Sequence, residues 1–209
     1  MTKTQPIRIL IVDDHAVVRA GLASMLSTQP ELCIVGSASG GEEALALLKT
    51  EAVDILLLDL RMPEMSGVDV LNQLKNSDAS PAAIILSNFD LEEDVYAAIH
   101  AGARGYLLKD TNLNEMMIAI KAVMSGKRYL RQDLACRLAE RMTRPTLTPR
   151  ELEILSMMAQ GYTNPEIGHI LQISSNTARN HVNSIIEKLE VSDRTAAATA
   201  GILRGIIHP

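Results

Sequence analysis

Short apolar runs alternate with segments in which apolar residues recur every three or four positions, and this pattern continues to about residue 125. Short apolar runs are typical of buried strands, and the longer periodicity is typical of helices that pack on one face. Five strands alternating with five helices predict an α/β domain with a doubly wound parallel sheet. The predicted strands cover residues 7–12, 32–35, 55–58, 82–86 and 105–108, and the predicted helices cover 17–25, 42–48, 68–74, 92–101 and 113–124. Residues 36–41 are predicted to form a loop.

The pattern changes after residue 125. Residues 126–146 contain one short amphipathic helix, Gln132–Met142, and we expect them to form a linker. Residues 147–209 predict an all-α domain of four helices, two of which begin with a capping box, at Thr148 and Thr163. Two short helices joined by about three residues are typical of a helix-turn-helix. On spacing alone, a helical bundle without a nucleic-acid role fits this region equally well.

Composition limits the class of protein. Hydrophobic residues make up 47% of the chain and charged residues 22%, which is typical of a globular protein. The N-terminus lacks the apolar core of a signal peptide, and no apolar run approaches a membrane span, so we expect a cytoplasmic protein without a membrane partner. The two cysteines, Cys33 and Cys136, are too few and too distant to indicate a metal cluster or a disulfide framework.

Charge is distributed unevenly along the chain. Residues 1–125 carry 9 basic against 17 acidic side chains, residues 126–145 carry 6 against 2, and residues 146–209 carry 5 against 6. An acidic first part followed by a basic segment indicates two units with different partners. The basic side chains of the linker could face solvent, the acidic first domain or DNA phosphates.

Polar residues stand where the predicted strands end. Asp13 and Asp14 follow the first strand, Asp59 the third, Ser87 the fourth and Lys109 the fifth. A lone acid at a strand end most simply caps that strand, but the carboxyl ends of parallel strands share one edge, so these five groups are expected to converge. Crowded carboxylates need a compensating cation, and Mg²⁺ prefers such oxygen ligands. A carboxylate nucleophile, a divalent cation and a lysine are together suited to accepting a phosphoryl group.

Four motifs resemble the receiver domain of two-component response regulators, which has a flavodoxin-like fold, over about residues 7–125. They are Val12-Asp13-Asp14-His15, Leu58-Asp59-Leu60-Arg61-Met62-Pro63, Ser87, and Gly102-Ala103-Arg104-Gly105-Tyr106-Leu107-Leu108-Lys109. The resemblance implies that Asp59 accepts phosphate from a sensor histidine kinase. It also implies the roles of the neighbouring residues: Asp13, Asp14, Asp59 and the backbone carbonyl of Arg61 hold Mg²⁺, Lys109 and Ser87 contact the phosphoryl group, and Ser87 and Tyr106 form a conformational switch. We expect His15 to be an exposed first-turn residue, and Asp110 stands where many receivers have a proline.

The C-terminal region resembles the helix-turn-helix domain of the NarL/FixJ (LuxR-type) transcription regulators over about residues 146–205. The matching residues include Leu147-Thr148-Pro149-Arg150-Glu151, Ala159-Gln160-Gly161, Glu166-Ile167, Ile173-Ser174, His181-Val182 and Lys188-Leu189. The resemblance implies a recognition helix from Ser174 in the DNA major groove. Implied base contacts are Arg179, Asn180 and Asn183, and implied phosphate contacts are Thr163, Asn164, Thr177, His181 and Lys188. Pro165, Gly168 and Ala178 depart from the residues common in that family.

The function hypothesis is therefore a non-enzymatic transcriptional response regulator with a receiver domain (residues 1–125), a linker (126–146) and a DNA-binding domain (147–209). We expect a homodimer on phosphorylation or on promoter DNA, and the small and apolar residues of the last helix fit either a dimer contact or the core. One alternative is an orphan DNA-binding regulator that is never phosphorylated. Another is an aspartyl-phosphate phosphohydrolase, although such enzymes have a second aspartate where this chain has Arg61.

Overall fold

The computed structural model describes residues 5–75 and 80–207. The chain divides into two compact units, Met1–Asp90 with Asp94–Ala135, and Leu91–Glu93 with Cys136–Pro209. The main division, after Ala135, lies inside the segment that was predicted to be the linker.

A five-stranded parallel sheet forms the first unit, in the order β2-β1-β3-β4-β5. This order is that of flavodoxin-like folds, so the predicted fold class is confirmed. The strands are β1 (Ile7–Val12), β2 (Leu32–Ala38), β3 (Ile55–Asp59), β4 (Ala82–Ser87) and β5 (Gly105–Leu108), and the helices are α1 (Ala16–Leu26), α2 (Gly41–Thr50), α3 (Gly67–Leu74), α4 (Glu92–Ala101) and α5 (Leu113–Met124).

Strand β3 is the centre of the sheet. It pairs with β1 on one side and β4 on the other, and all five of its residues are buried. A strand covered on both faces has no exposed side to carry polar residues, which explains the uninterrupted apolar run Ile55–Leu58. The run brings the carboxylate of Asp59 to the carboxyl edge of the sheet, where it stays buried.

The predicted loop at residues 36–41 is wrong at its beginning, because β2 continues to Ala38. After a register shift between Ile9 and Leu10 of β1, Gly36 pairs with Leu10 and Ala38 pairs with Val12. Glycine and serine favour loops locally, but the hydrogen bonds to β1 outweigh that preference. On the opposite edge, the backbone of Tyr129 bonds to Arg104 and Tyr106, so part of the predicted linker extends the sheet beside β5.

The second unit is helical. After α6 (Gln132–Thr143), which crosses from one unit to the other, come α7 (Pro149–Ala159), α8 (Asn164–Ile170), α9 (Ser175–Lys188) and α10 (Arg194–Leu203), and the prediction of four helices is confirmed. Their apolar faces share one core, formed by Leu147, Ile154, Leu155, Met158, Ile167, Ala178, Val182, Ile185, Leu189, Ala197 and Ile207. No helix within the described ranges has the length and apolar character required to cross a bilayer.

The turn between α8 and α9 depends on Gly168. A Cβ atom at this position would lie 2.9 Å from the carbonyl oxygen of Ile173 and 3.3 Å from the backbone nitrogen of Ser175. Glycine costs about 1 kcal/mol of helix propensity inside a helix. Here it allows α8 to pack closely against the backbone that begins the next helix.

Gly67 allows the start of α3 to lie equally close to the backbone of Asp59. A Cβ atom there would lie 2.4 Å from the carbonyl oxygen of Asp59. We expect Gly67→Ala to lower the free energy of unfolding by about 1–3 kcal/mol, because the backbone must move to remove the clash. Gly21→Ala in α1 is the matched control, since nothing lies within 4 Å of its Cβ position; alanine there should raise stability by up to about 1 kcal/mol. Urea unfolding measures both, and equal effects would contradict this account.

Candidate functional site

The acidic groups at the carboxyl ends of β1 and β3 meet the lysine that follows β5. The Nζ atom of Lys109 lies 2.7 Å from Oδ2 of Asp13 and 2.8 Å from Oδ2 of Asp59. Asp13, Asp59 and most of the lysine side chain are buried, whereas Asp14 is partly exposed. The structure thus brings together four of the five residues predicted from the strand ends, and Ser87 completes the edge as the last residue of β4.

Burial and charge act against each other in this pocket. Burial raises the pKa of the Asp59 carboxyl group, and this effect exceeds the opposing effect of the hydrogen bond from Lys109. Burial alone would lower the pKa of Lys109, but the carboxylates of Asp13 and Asp59 outweigh it and raise that pKa. One ammonium group therefore faces three carboxyl groups, and a further cation would complete the charge balance.

The donor atoms fit a divalent cation. Oxygen atoms of Asp13, Asp14 and Asp59 and a nitrogen of His15 lie within 4.8 Å of one another. Oδ2 of Asp13 has one ion-pair contact, with Nζ of Lys109 at 2.7 Å, and Oδ1 of Asp14 has one, with Nδ1 of His15 at 2.6 Å, so each oxygen keeps a second lone pair. Oxygen atoms with free lone pairs in an acidic cluster are the ligands that Mg²⁺ prefers.

His15 begins α1 as its N-cap residue, and its side chain is 63% exposed, as expected for a first-turn residue. Its Nδ1 atom lies 2.6 Å from Oδ1 of Asp14, and its backbone N–H donates to Oδ1 of Asp13. The described chain contains no cis peptide bond, so the bond between Lys109 and Asp110 is trans.

Phe89 connects the two residues that were predicted to form a switch. Its backbone N–H donates to Oγ of Ser87 over 3.1 Å, and its carbonyl oxygen accepts from the hydroxyl of Tyr106 over 2.8 Å. The Tyr106 side chain is fully buried, and burial raises its pKa.

The side chain of Arg61 reaches Phe89 from the loop after β3. Its guanidinium lies 5.3 Å from the centre of the Phe89 ring and 2.8 Å from a carboxylate oxygen of Asp94. Sequence reasoning assigned a role only to the backbone carbonyl of Arg61 and missed Phe89 altogether. An exposed aromatic two residues after Ser87, in a chain with only 2% aromatics, was the available signal.

In the second unit, the predicted base-contacting residues share one face of α9. Arg179, Asn180 and Asn183 are all exposed, while Ala178, Val182 and Ile185 on the opposite face are buried. No ion pair engages Arg179 within the part of the chain that the structure describes, so its guanidinium is available for an external acceptor.

Four of the five predicted phosphate-contacting residues already have partners within the domain. The hydroxyl of Thr163 lies 2.6 Å from Glu166, the hydroxyl of Thr177 lies 2.8 Å from that of Ser174, and the ammonium of Lys188 lies 2.7 Å from Glu151. Asn164 accepts from Arg194, and His181 is partly exposed on α9.

Glu151 is a buried residue whose carboxylate accepts several hydrogen bonds, whereas the sequence indicated only its place in a capping box. Its carboxylate accepts from the backbone and hydroxyl of Thr148, from Ser184 and from Lys188. Burial alone would raise its pKa, but these hydrogen bonds outweigh burial and lower the pKa from 4.5 to about 2. Glu151 therefore ties α9 to the start of α7.

This pKa shift predicts a pH dependence of stability. Because the folded-state pKa is depressed, the ionised carboxylate stabilises the fold above pH 4.5, and that contribution is lost as the pH falls towards 2. Glu151→Gln should lower the free energy of unfolding by about 1–3 kcal/mol at pH 7, and by progressively less below pH 4.5. Urea unfolding at several pH values measures the difference. Glu153→Gln, which removes an exposed partner of Arg150, is the control and should have little effect at any pH.

The sheet order, the acidic pocket with its lysine and the helix-turn-helix define a class of protein, the response regulators. Residues 9–121 match the response regulator receiver domain, and residues 145–200 match the bacterial regulatory proteins of the luxR family. The chain therefore belongs to the response regulators that combine a receiver domain with a LuxR-type DNA-binding domain, which confirms the predicted family.

Relatives resemble the chain over nearly its full length. Transcriptional regulatory protein LiaR of Bacillus subtilis (strain 168) is 40% identical over 200 residues, which cover 92% of this chain and 95% of LiaR. Response regulator protein VraR of Staphylococcus aureus (strain NCTC 8325 / PS 47) is 35% identical over 207 residues, covering 97% and 99% respectively.

Two solved structures support the fold. The response regulator ChrA of a heme-sensing two-component system is 37% identical, with a TM-score of 0.58, and the match covers 98% of this chain and 100% of that chain. The response regulator RcsB of Salmonella typhimurium, 23% identical with a TM-score of 0.71 over 92% of this chain and 98% of that chain, shares the fold.

Proposed function

We propose that phosphorylation of Asp59 by a sensor histidine kinase controls the binding of promoter DNA by the C-terminal domain. The observation that carries this proposal is the pocket in which Lys109 bridges Asp13 and Asp59 at the carboxyl edge of the sheet. In the transfer, a carboxylate oxygen of Asp59 forms a bond to phosphorus while the phosphorus–nitrogen bond of a phosphohistidine breaks.

The protein contributes the nucleophile and the surrounding charge. Lys109 is placed to neutralise an oxygen of the incoming phosphoryl group, and the hydroxyl of Ser87 is the proposed hydrogen-bond donor to another. Ser87 would exchange its present contact with the backbone of Phe89 for the phosphoryl oxygen. Tyr106, which is bonded to the same residue, is the proposed second part of the switch.

Mg²⁺ is the proposed cofactor of the pocket, held by Asp13, Asp14, Asp59 and the backbone carbonyl of Arg61. The clustering of oxygen atoms of Asp13, Asp14 and Asp59 within 4.8 Å of one another, beside a single ammonium group, supports this assignment. When bound, the ion neutralises phosphoryl oxygens and compensates the crowded carboxylates.

Phosphorylation is tested with a small acyl phosphate and Mg²⁺. Intact mass should increase by one phosphoryl group on the wild-type chain, and hydroxylamine should remove it, because an acyl phosphate is labile to this nucleophile. Asp59→Asn should give no such product, and removal of Mg²⁺ should slow labelling by about 100-fold. An unlabelled wild-type chain would instead support an orphan regulator.

The second part of the proposed function is DNA recognition by α9. Arg179, Asn180 and Asn183 are exposed on one face and are the proposed base contacts, since arginine suits guanine and asparagine suits adenine. Thr163, Asn164, Thr177, His181 and Lys188 remain the proposed contacts to phosphates. The ion pair of Lys188 with Glu151 leaves few uncompensated cations, so DNA affinity per monomer should be modest.

Selection from a randomised duplex library tests the role of Arg179. Arg179→Ala should relax the preference at one base position by about 1–3 kcal/mol while preference elsewhere in the site is kept. Glu187→Gln changes an exposed residue of the same helix and should leave the selected sequence unchanged. An identical selected sequence for Arg179→Ala and the wild type would remove this residue from the interface.

A homodimer is the proposed DNA-bound or phosphorylated state. Of the last helix, Ala197 is buried in the core, whereas Ile202 and Leu203 are exposed apolar residues available to a second copy. One of the structures similar in fold contains two RcsB dimers bound to two parallel DNAs. We further propose a cytoplasmic location, where kinase and promoter are both accessible, and no membrane partner.

The enzyme alternative, an aspartyl-phosphate phosphohydrolase, is disfavoured by the position of Arg61. Such chemistry needs an acid or base two residues after the nucleophile, and here a guanidinium occupies that position and pairs with Asp94. We propose that the chain is not an enzyme. Steady turnover of a phosphate ester by the wild type, absent from Asp59→Asn, would contradict this.

A further inference from the structure

Arg194 contacts one of the proposed phosphate-binding residues from a different helix. Its guanidinium donates to Oδ1 of Asn164 over 2.9 Å and also to the carbonyl oxygen of Tyr162. Arg194 is the first residue of α10, and Asn164 is the first residue of α8, thirty positions earlier. Both side chains are partly buried, so the contact lies at the surface where the two helices begin.

This hydrogen bond fixes the orientation of the Asn164 amide. A guanidinium has donors only, so the atom of Asn164 that faces Arg194 must be the carbonyl oxygen. The amide nitrogen, with its two N–H groups, is thereby turned away from Arg194. An oriented N–H donor beside a cation suits an anionic oxygen acceptor.

The charge of Arg194 is also uncompensated. Both of its recorded acceptors are neutral oxygens, and no carboxylate forms an ion pair with it in residues 5–75 or 80–207. Lys188, by contrast, is neutralised by the buried carboxylate of Glu151. A cation in the first turn of a helix is unfavourable with respect to the helix dipole, so local helix energetics do not explain this arginine.

We propose that Arg194 and Asn164 form a two-residue binding site for a phosphate of duplex DNA. Arg194 is the positioning residue that presents the amide of Asn164, and it adds one positive charge at the same point. The inference rests on the proposed contact of Asn164 with DNA. It adds Arg194, which lies outside the recognition helix and is not one of the predicted DNA contacts.

Fluorescence anisotropy with a labelled duplex tests this without knowledge of the operator, because phosphate contacts do not depend on sequence. The full-length chain is titrated at several salt concentrations between about 50 and 200 mM, a range in which phosphate contacts dominate the change in affinity. The variants are Asn164→Ala, Arg194→Ala, Arg194→Lys and the double alanine variant. Lys49→Ala on α2 removes the same charge from an exposed position in the other unit and is the control.

We expect Asn164→Ala to weaken binding by about 5- to 10-fold without changing the salt slope. Arg194→Ala should weaken it by at least as much and make the slope shallower by about one counterion, and the double variant should bind like Arg194→Ala alone. Arg194→Lys should retain the slope, which separates loss of charge from loss of fold. Circular dichroism checks that each variant is folded.

Two results overturn the inference. In the first, folded Arg194→Ala binds DNA with the same affinity and the same salt slope as the wild type. In the second, Asn164→Ala weakens DNA binding by the same factor in the wild-type chain and in the Arg194→Ala variant. If Asn164→Ala alone has no effect, the proposed contact of Asn164 fails, and the inference fails with it. DNA binding as such is judged separately from the wild type and Arg179→Ala.

Discussion

The bridge from Lys109 to Asp13 and Asp59 is the interaction on which the first domain depends. Parallel strands deliver their carboxyl ends to one edge, and in this chain that edge gathers three carboxyl groups from two neighbouring strands. Burial opposes the ionisation of Asp59, and the ammonium group counteracts this effect in part. The lysine bridges two of the carboxylates, and its single charge does not compensate all three, an arrangement suited to a cation and a phosphoryl group.

A short set of contacts extends from this pocket to the surface of the same domain. The backbone N–H of Phe89 donates to the hydroxyl of Ser87, and the carbonyl oxygen of Phe89 accepts from the hydroxyl of Tyr106. Arg61 packs on the Phe89 ring and forms an ion pair with Asp94. The loops after β3 and β4 are therefore connected to each other as well as to Asp59.

The DNA-binding domain uses its charged side chains largely to hold itself together. Glu151 takes the charge of Lys188, and Arg150 pairs with Glu153 and donates to Leu171. Residues 146–209 contain five basic and six acidic side chains, and these contacts occupy some of the basic ones within the domain, so few cations remain for DNA. Arg179, Arg194 and Arg204 have no ion pair within the described ranges. Arg204 donates instead to the carbonyl oxygen of Leu189, and Arg179 and Arg194 lie on different helices.

The sequence by itself determined the strands and helices, the order of the two domains and the residues at the carboxyl edge of the sheet, because periodicity, caps and strand ends are local properties. Tertiary structure alone decided the continuation of β2 to Ala38, the close approach at Gly67 and the partners of Lys188 and Arg194. These features join residues that are far apart in sequence, and a local pattern does not specify which distant group will satisfy a donor, an acceptor or a gap. The motif at Asp59 is thus predictable from the chain, whereas the contacts of Phe89, Glu151 and Arg194 depend on what the fold places beside them.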